Sequence, residues 1–245
     1  MSLLIDSDMD DEAIKLAQFL VERLRNAPPD SRLLVGITGI AASGKSTFAA
    51  RIVERTRAIL HDLPGDNALA GSTAVLVGLD GWHLTRAQLD QMPDPKLAHE
   101  RRGIHWTFDA AAYVSFIQSL RLPNPRDALS FPSFDHAVKD PIPDSLRIEP
   151  SDRIILVEGL YTLLDIEPWV HASRLLDERW LIDVDSEEAR RRLVERHVVS
   201  GVAKNREEAV WRAENNDAPN GRFVIANSLE PTRVIQSIND PTIRK

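Results

Sequence analysis

The 245-residue chain contains no cysteine. That excludes a disulfide framework, a thiol nucleophile and a cysteine-ligated metal. An excess of basic charge is missing too: 30 Lys and Arg stand against 37 Asp and Glu, for a formal net charge of -7. No global attraction therefore draws the chain to nucleic acid or to an anionic membrane, and neither is expected as a partner. No apolar run approaches the roughly 20 residues needed to cross a bilayer. Residues 1–8 are acidic where a signal or transit peptide would carry positive charge. A cytoplasmic protein is the expectation. The histidines His83, His99, His105 and His136 have no metal-ligand spacing, so a zinc site is not expected.

What is present is ordinary in amount and ordered in pattern. Hydrophobic residues make up 43% and charged residues 27%, which suits a globular chain with a sizeable core. Ile14, Ala17, Leu20, Val21 and Leu24 recur at helical spacing, which predicts a helix over residues 10–26, stopped by Pro28 and Pro29. Near-continuously apolar strands are predicted at 33–38, 74–79, 153–157 and 179–184, with helical segments between them. Such alternation implies a parallel sheet covered on both faces. Residues 122–150 are rich in proline, yet Phe131, Phe134, Val138 and Ile142 supply apolar anchors, so an ordered insertion is expected.

The strand at 33–38 runs into Gly39, Ile40, Ala41, Ala42, Ser43, Gly44, Lys45 and Ser46, followed by Thr47. This fits the phosphate-binding pattern G-x-x-x-x-G-K-[S/T]. Its glycines let the backbone N–H groups converge on an anion, Lys45 reaches for the β- and γ-phosphates of ATP, and the Ser46 hydroxyl is a ligand for Mg²⁺. Two further carboxylates close predicted strands. Asp80, before Gly81, is placed to accept the proton of an attacking hydroxyl, and Glu158, before Gly159, to hold Mg²⁺. Arg192 and Arg196 share one face of an arginine-rich helix predicted from Ser186 and could fold over a triphosphate. His83 and His136 are candidates for hydrogen-bonding a polyhydroxylated substrate. A switch NTPase would use the same loop, but the Asn-Lys-x-Asp and Leu-Ser-Gly-Gly signatures of two such classes are absent. A catalytically weak nucleotide-binding protein is the other alternative.

Together these motifs resemble the P-loop kinases of the phosphoribulokinase/uridine kinase family, including the bacterial-type pantothenate kinases. The resemblance rests on the loop with Thr47, Asp80-Gly81-Trp82-His83, Arg101-Arg102-Gly103, Pro132 to His136, Glu158-Gly159-Leu160, the arginine helix, and the tail from Asp217 to Arg233. It implies a three-layer αβα sandwich with a mainly parallel sheet and a helical lid. It also implies phosphoryl transfer from ATP with Mg²⁺ to a hydroxyl of a nucleoside, pantothenate-like or sugar substrate. Carried over, it makes Asp80 the acid–base residue and sets Arg102 and His136 near the acceptor, with Arg192 or Arg196 in the lid. The expected layout is an N-terminal helix over 1–30 packed on a single domain over 31–240. That domain would hold a substrate-side insertion at about 81–150 and a lid at about 190–215. A homodimer fits the family pattern. His83 stands where uridine kinases usually carry an aromatic residue, and Phe134 where a tyrosine is common, so the resemblance does not name the acceptor.

Overall fold

A computed structural model describes residues 5–63, 68–122, 127–135 and 138–237. The chain opens with α1 (Ile5–Arg25), β1 (Leu33–Thr38) and α2 (Lys45–His61), then β2 (Thr73–Gly78), a 3₁₀ turn (Leu79–Trp82), and the short helices α3 (Arg86–Leu89) and α4 (Pro95–Glu100). Helix α5 (Ala110–Leu120) leads to β3 (Leu129–Asp135), β4 (Asp140–Ile148), β5 (Asp152–Glu158), α6 (Val170–Ser173) and β6 (Glu178–Asp183). The last part holds α7 (Ser186–Val199), α8 (Arg206–Arg212), a π-helical turn (Ala213–Asp217), α9 (Ala218–Ala226) and β7 (Arg233–Gln236).

Five parallel strands form the central sheet in the order β2-β5-β1-β6-β7. Every residue of β1 is buried, as expected of a strand covered on both faces. Its side chains sort with period two. Leu33, Val35 and Ile37 join Leu16, Leu20 and Ile52 of α1 and α2 in one core, while Leu34 joins Tyr113 and Ile117 of α5 in the other. Strand β5 divides in the same way, with Ile154 and Leu156 facing one layer and Ile155 and Val157 the other. The result is a three-layer α/β/α sandwich. Among the described residues, no helix is long and apolar enough to cross a membrane.

The proline-rich insertion is ordered where it is described: β3 and β4 pair as an antiparallel hairpin outside the main sheet. Pro141 and Pro143 lie on β4, which has no partner beyond β3, and proline there blunts a free edge. Two of the departures from the sequence expectation have a clear cause. The strand predicted to include Leu79 ends at Gly78, because the chain turns tightly through Leu79–Trp82. The tail adds an unforeseen fifth strand, β7, whose four residues are too few to show a period.

Strand β7 is anchored by a buried carboxylate at the start of β6. Glu178, 4% exposed, accepts from Trp180 Nε1 at 3.1 Å and Thr232 Oγ1 at 2.7 Å, and Arg23 of α1 donates to its other oxygen. Three elements thus depend on one acceptor. Glu178→Ala should lower unfolding stability by about 3 kcal/mol, because it strands a buried indole N–H, a hydroxyl and part of a guanidinium. Urea denaturation measures this, and a loss below ~0.5 kcal/mol would show that the network is dispensable.

Candidate active site

Parallel register brings the candidate residues together. Glu158, at the end of β5, is aligned with Ile37 of β1 on one side and Gly78 of β2 on the other. One residue beyond Thr38 the phosphate loop begins, and two beyond Gly78 stands Asp80. Loop, Glu158 and Asp80 therefore share the carboxyl edge of three adjacent strands, where open α/β sheets bind ligands.

The loop is held in a conformation suited to an anion. Gly44, at φ 90°, caps α2, and no side chain satisfies the first amides of that helix. Unpaired N–H groups and the helix dipole make this end attractive to negative charge. Ala42 also sits at positive φ (62°), where a side chain is disfavoured, so the loop carries backbone strain. Ser43 Oγ is buried there without a partner.

Lys45 opens α2 and is half-buried. Burial pushes its ammonium below the usual lysine range, Glu158 and Asp80 act to hold it up, and the Arg196 guanidinium pushes it down again. Glu158 mirrors this. Burial raises its carboxyl above the ordinary value, Lys45 lowers it, Asp80 raises it, and a hydrogen bond from Ser46 Oγ at 3.0 Å lowers it. The two charges sustain each other in a place neither would occupy alone.

Asp80 projects from the 3₁₀ turn with its side chain about half exposed (54%). That turn lies hard against the hairpin: a Cβ on Gly81 would sit 2.3 Å from the Pro132 carbonyl oxygen, so only glycine fits. His83 Nδ1 donates to the Asp80 carbonyl at 2.8 Å, which leaves the lone pair on Nε2 when the ring is neutral. Its ring packs between Phe108 (3.9 Å between centroids) and Phe134 (4.9 Å).

Arg102 lies beside the same wall, but its guanidinium is engaged. It donates to the Lys139 carbonyl, to the Leu84 carbonyl at 2.8 Å and to Asp140 Oδ1 at 2.9 Å, and it lies over the Phe134 ring. These bonds fasten the hairpin to the segment after the 3₁₀ turn. His136 lies outside the described residues.

The two arginines of α7 differ in surroundings. Arg192 Nε donates to Glu188 at 2.7 Å and Nη1 to Ser237 Oγ at 3.0 Å. Ser237, just past β7, has its hydroxyl 3.7 Å from where a Gly44 Cβ would stand, so Arg192 reaches the loop through it. Arg196 is exposed and exerts its charge on Lys45. Sequence reasoning missed Ser237 because it lies far along the chain in a segment with no motif of its own. It missed Tyr161 as well: this wholly buried residue follows Glu158-Gly159 and looks like core.

No family model matches the chain. Known proteins are nevertheless similar to it. An "ATP-dependent kinase-like protein notR'" from Aspergillus versicolor is 46% identical over 153 residues, 62% of this chain and 89% of that protein. A candidate uridine kinase of Schizosaccharomyces pombe is 34% identical over 245 residues, covering 100% of this chain and 98% of its own length. Among solved structures, one described as a candidate fructose transport system kinase from a Silicibacter species superposes with TM-score 0.77 at 28% identity, covering 91% of this chain and 98% of that one. YFH7 from Saccharomyces cerevisiae, described as a candidate P-loop kinase with a circular permutation, reaches 0.78 at 24% identity over 91% and 98%, and supports the fold alone.

The coupling across this site has a direct test in the titration of Glu158, followed by the carboxyl ¹³C shift. Ser46→Ala removes a hydrogen bond that lowers the Glu158 pKa, and Lys45→Met removes a larger lowering influence. Both should move the midpoint upward, Lys45→Met further. Midpoints unchanged in both variants would refute the coupling.

Proposed function

The chain belongs to the uridine-kinase-like P-loop kinases, and from that premise we propose that it transfers the γ-phosphoryl group of ATP to a hydroxyl of a small alcohol, with Asp80 as the base. The observation that carries this reading is the convergence of Lys45, Glu158 and Asp80 at the carboxyl ends of three adjacent strands. A hydrolytic switch has no need of a second carboxylate exposed beyond the phosphate site; a transferase does, to take a proton from its acceptor.

In this reading residues 39–47 cradle the triphosphate with backbone amides, and Lys45 neutralises charge that builds on the β- and γ-oxygens. Asp80, half exposed on its turn, accepts the proton of the acceptor hydroxyl as oxygen attacks phosphorus. His83, held by the Asp80 carbonyl, and the hairpin fastened by Arg102 shape the acceptor side. His136 is kept as a candidate contact there. Arg196 approaches from α7 and adds positive charge, while Arg192 braces the loop through Ser237. Closure of the α7–α8 segment would exclude water and so suppress wasteful hydrolysis.

The residues also fit Mg²⁺. A hydroxyl (Ser46) and a carboxylate (Glu158) already meet at 3.0 Å. One carboxylate plus substrate phosphates and water is the hard oxygen set this ion takes. Ser46 and Glu158 would hold it, and when bound it would offset negative charge between the phosphates.

Asp80→Asn should leave ATP affinity nearly unchanged and lower alcohol-dependent ADP formation at least ~100-fold, the scale of general-base catalysis. Stopped-assay product analysis with the best alcohol from a metabolite screen measures it. Full activity in that variant would remove Asp80 from the mechanism.

A further inference from the structure

A wall of rings leads away from Asp80. His83 packs on Phe108, Phe108 meets Tyr161 edge-on at 5.4 Å, and the Tyr161 hydroxyl donates to the Gly103 carbonyl at 2.7 Å. One side of this wall is the β3–β4 hairpin, which pairs with no strand of the main sheet among the described residues. The hairpin nevertheless touches the turn that carries Asp80 at three places. The Pro132 carbonyl lies so close to Gly81 that no side chain fits there, Phe131 lies parallel to Trp82 with centroids 6.5 Å apart, and Phe134 packs on His83 at 4.9 Å. His83 in turn bonds the Asp80 carbonyl at 2.8 Å, and its Nδ1 is 3.9 Å from the Asp80 carboxylate. A shift of the hairpin is therefore passed to Asp80.

What pins the hairpin in place is Asp140, the first residue of β4. Its Oδ1 accepts from Arg102 Nη2 at 2.9 Å and from the Arg86 backbone N–H at 2.9 Å. The other Arg102 contacts depend on that pair. Nη2 also donates to the Leu84 carbonyl at 2.8 Å, Nη1 donates to the Lys139 carbonyl, and the guanidinium covers the Phe134 ring. The Arg102 side chain is 16% exposed, its Nε is buried with no partner, and Asp140 is the acid it pairs with among the described residues. A guanidinium so enclosed stays while its charge is balanced. Without Asp140 it would move toward water and let go of Leu84, Lys139 and Phe134 together.

We propose that Asp140 is a positioning residue for phosphoryl transfer: by neutralising Arg102 it seats the hairpin against the 3₁₀ turn and so sets where the Asp80 carboxylate meets the acceptor hydroxyl. This rests on the kinase reading with Asp80 as base, and adds what holds that base in place. Asp140 acts through Arg102, Phe134 and His83, so its effect on rate requires the base at position 80. Displacing a catalytic group by about 1 Å costs up to ~100-fold in rate.

The test measures ADP release with uridine, pantothenate and fructose as probe alcohols, carrying forward the one that stimulates most. Asp140→Ala should lower kcat roughly 10- to 100-fold, with the KM for ATP within about twofold. Asp140→Asn, which keeps the shape and the acceptor for Arg86 but loses the charge, should also lower kcat. Asp140→Glu, which restores the charge, should recover much of the loss. In an Asp80→Asn background, Asp140→Ala and Asp140→Asn should each cost less than about twofold more, because the group they position is already gone. A purely structural role would give equal losses in both backgrounds. That result overturns the proposal, as does a kcat unmoved in whichever of the Ala and Asn variants fold. If either occurs while Asp80→Asn lowers transfer, the kinase reading stands and this proposal alone fails. If no probe alcohol raises ADP release, or Asp80→Asn is fully active, both fail together.

Discussion

Glu158 is aligned with Ile37 on one side and with Gly78 on the other, and the chemistry of the molecule hangs on that shared register. A parallel sheet ends its strands on one edge, so loops that leave adjacent strands begin as neighbours however far apart they lie in the chain. Here 112 positions separate Ser46 of the phosphate loop from Glu158, yet the two meet at 3.0 Å. A slip of one residue in β5 would turn Glu158 to the opposite face and break the set.

The same packing stores electrostatic tension. Lys45 is held below its normal basicity and Glu158 above its normal acidity range, both chiefly because burial removes water from them. Each is tolerated because the other is near. The loop adds backbone strain at Ala42 and a helix end whose first amides lack a side-chain cap. These features cost stability in the free protein and are relieved by a polyanion with its counter-ion, which is how a preorganised phosphate site differs from a relaxed surface. The wide layers on either side of the sheet make this affordable.

The ring wall beyond Asp80 is built differently. It has no single motif, and its pieces come from the 3₁₀ turn, the 101–105 loop, the β3–β4 hairpin, Tyr161 and the π-helical turn. Arg102 shows how they are assembled: one guanidinium bonds Leu84, Lys139 and Asp140 and covers Phe134. His197 bonds Asp217, so the position of α7 is tied to the π-helical turn.

The phosphate loop, the apolar strands and the strand-end carboxylates were legible in the sequence because each is a local pattern. Glycines at fixed spacing, continuous burial and a terminal acid need no partner to be recognised. The expected α/β sandwich and its membership of the P-loop kinases followed from them. Helix α7 was equally legible, but which of its arginines bears on Lys45 was not, since Arg192 and Arg196 share one face and only packing separates Ser237 from Lys45 as their neighbour. Strand β7 and Tyr161 left no trace in the order of residues. By itself, then, the sequence determined that a phosphate-loop motif would follow a strand end with two acids nearby. Tertiary structure alone decided what faces that site, because burial and hydrogen-bond satisfaction are properties of neighbours distant in the chain and no local spacing encodes them.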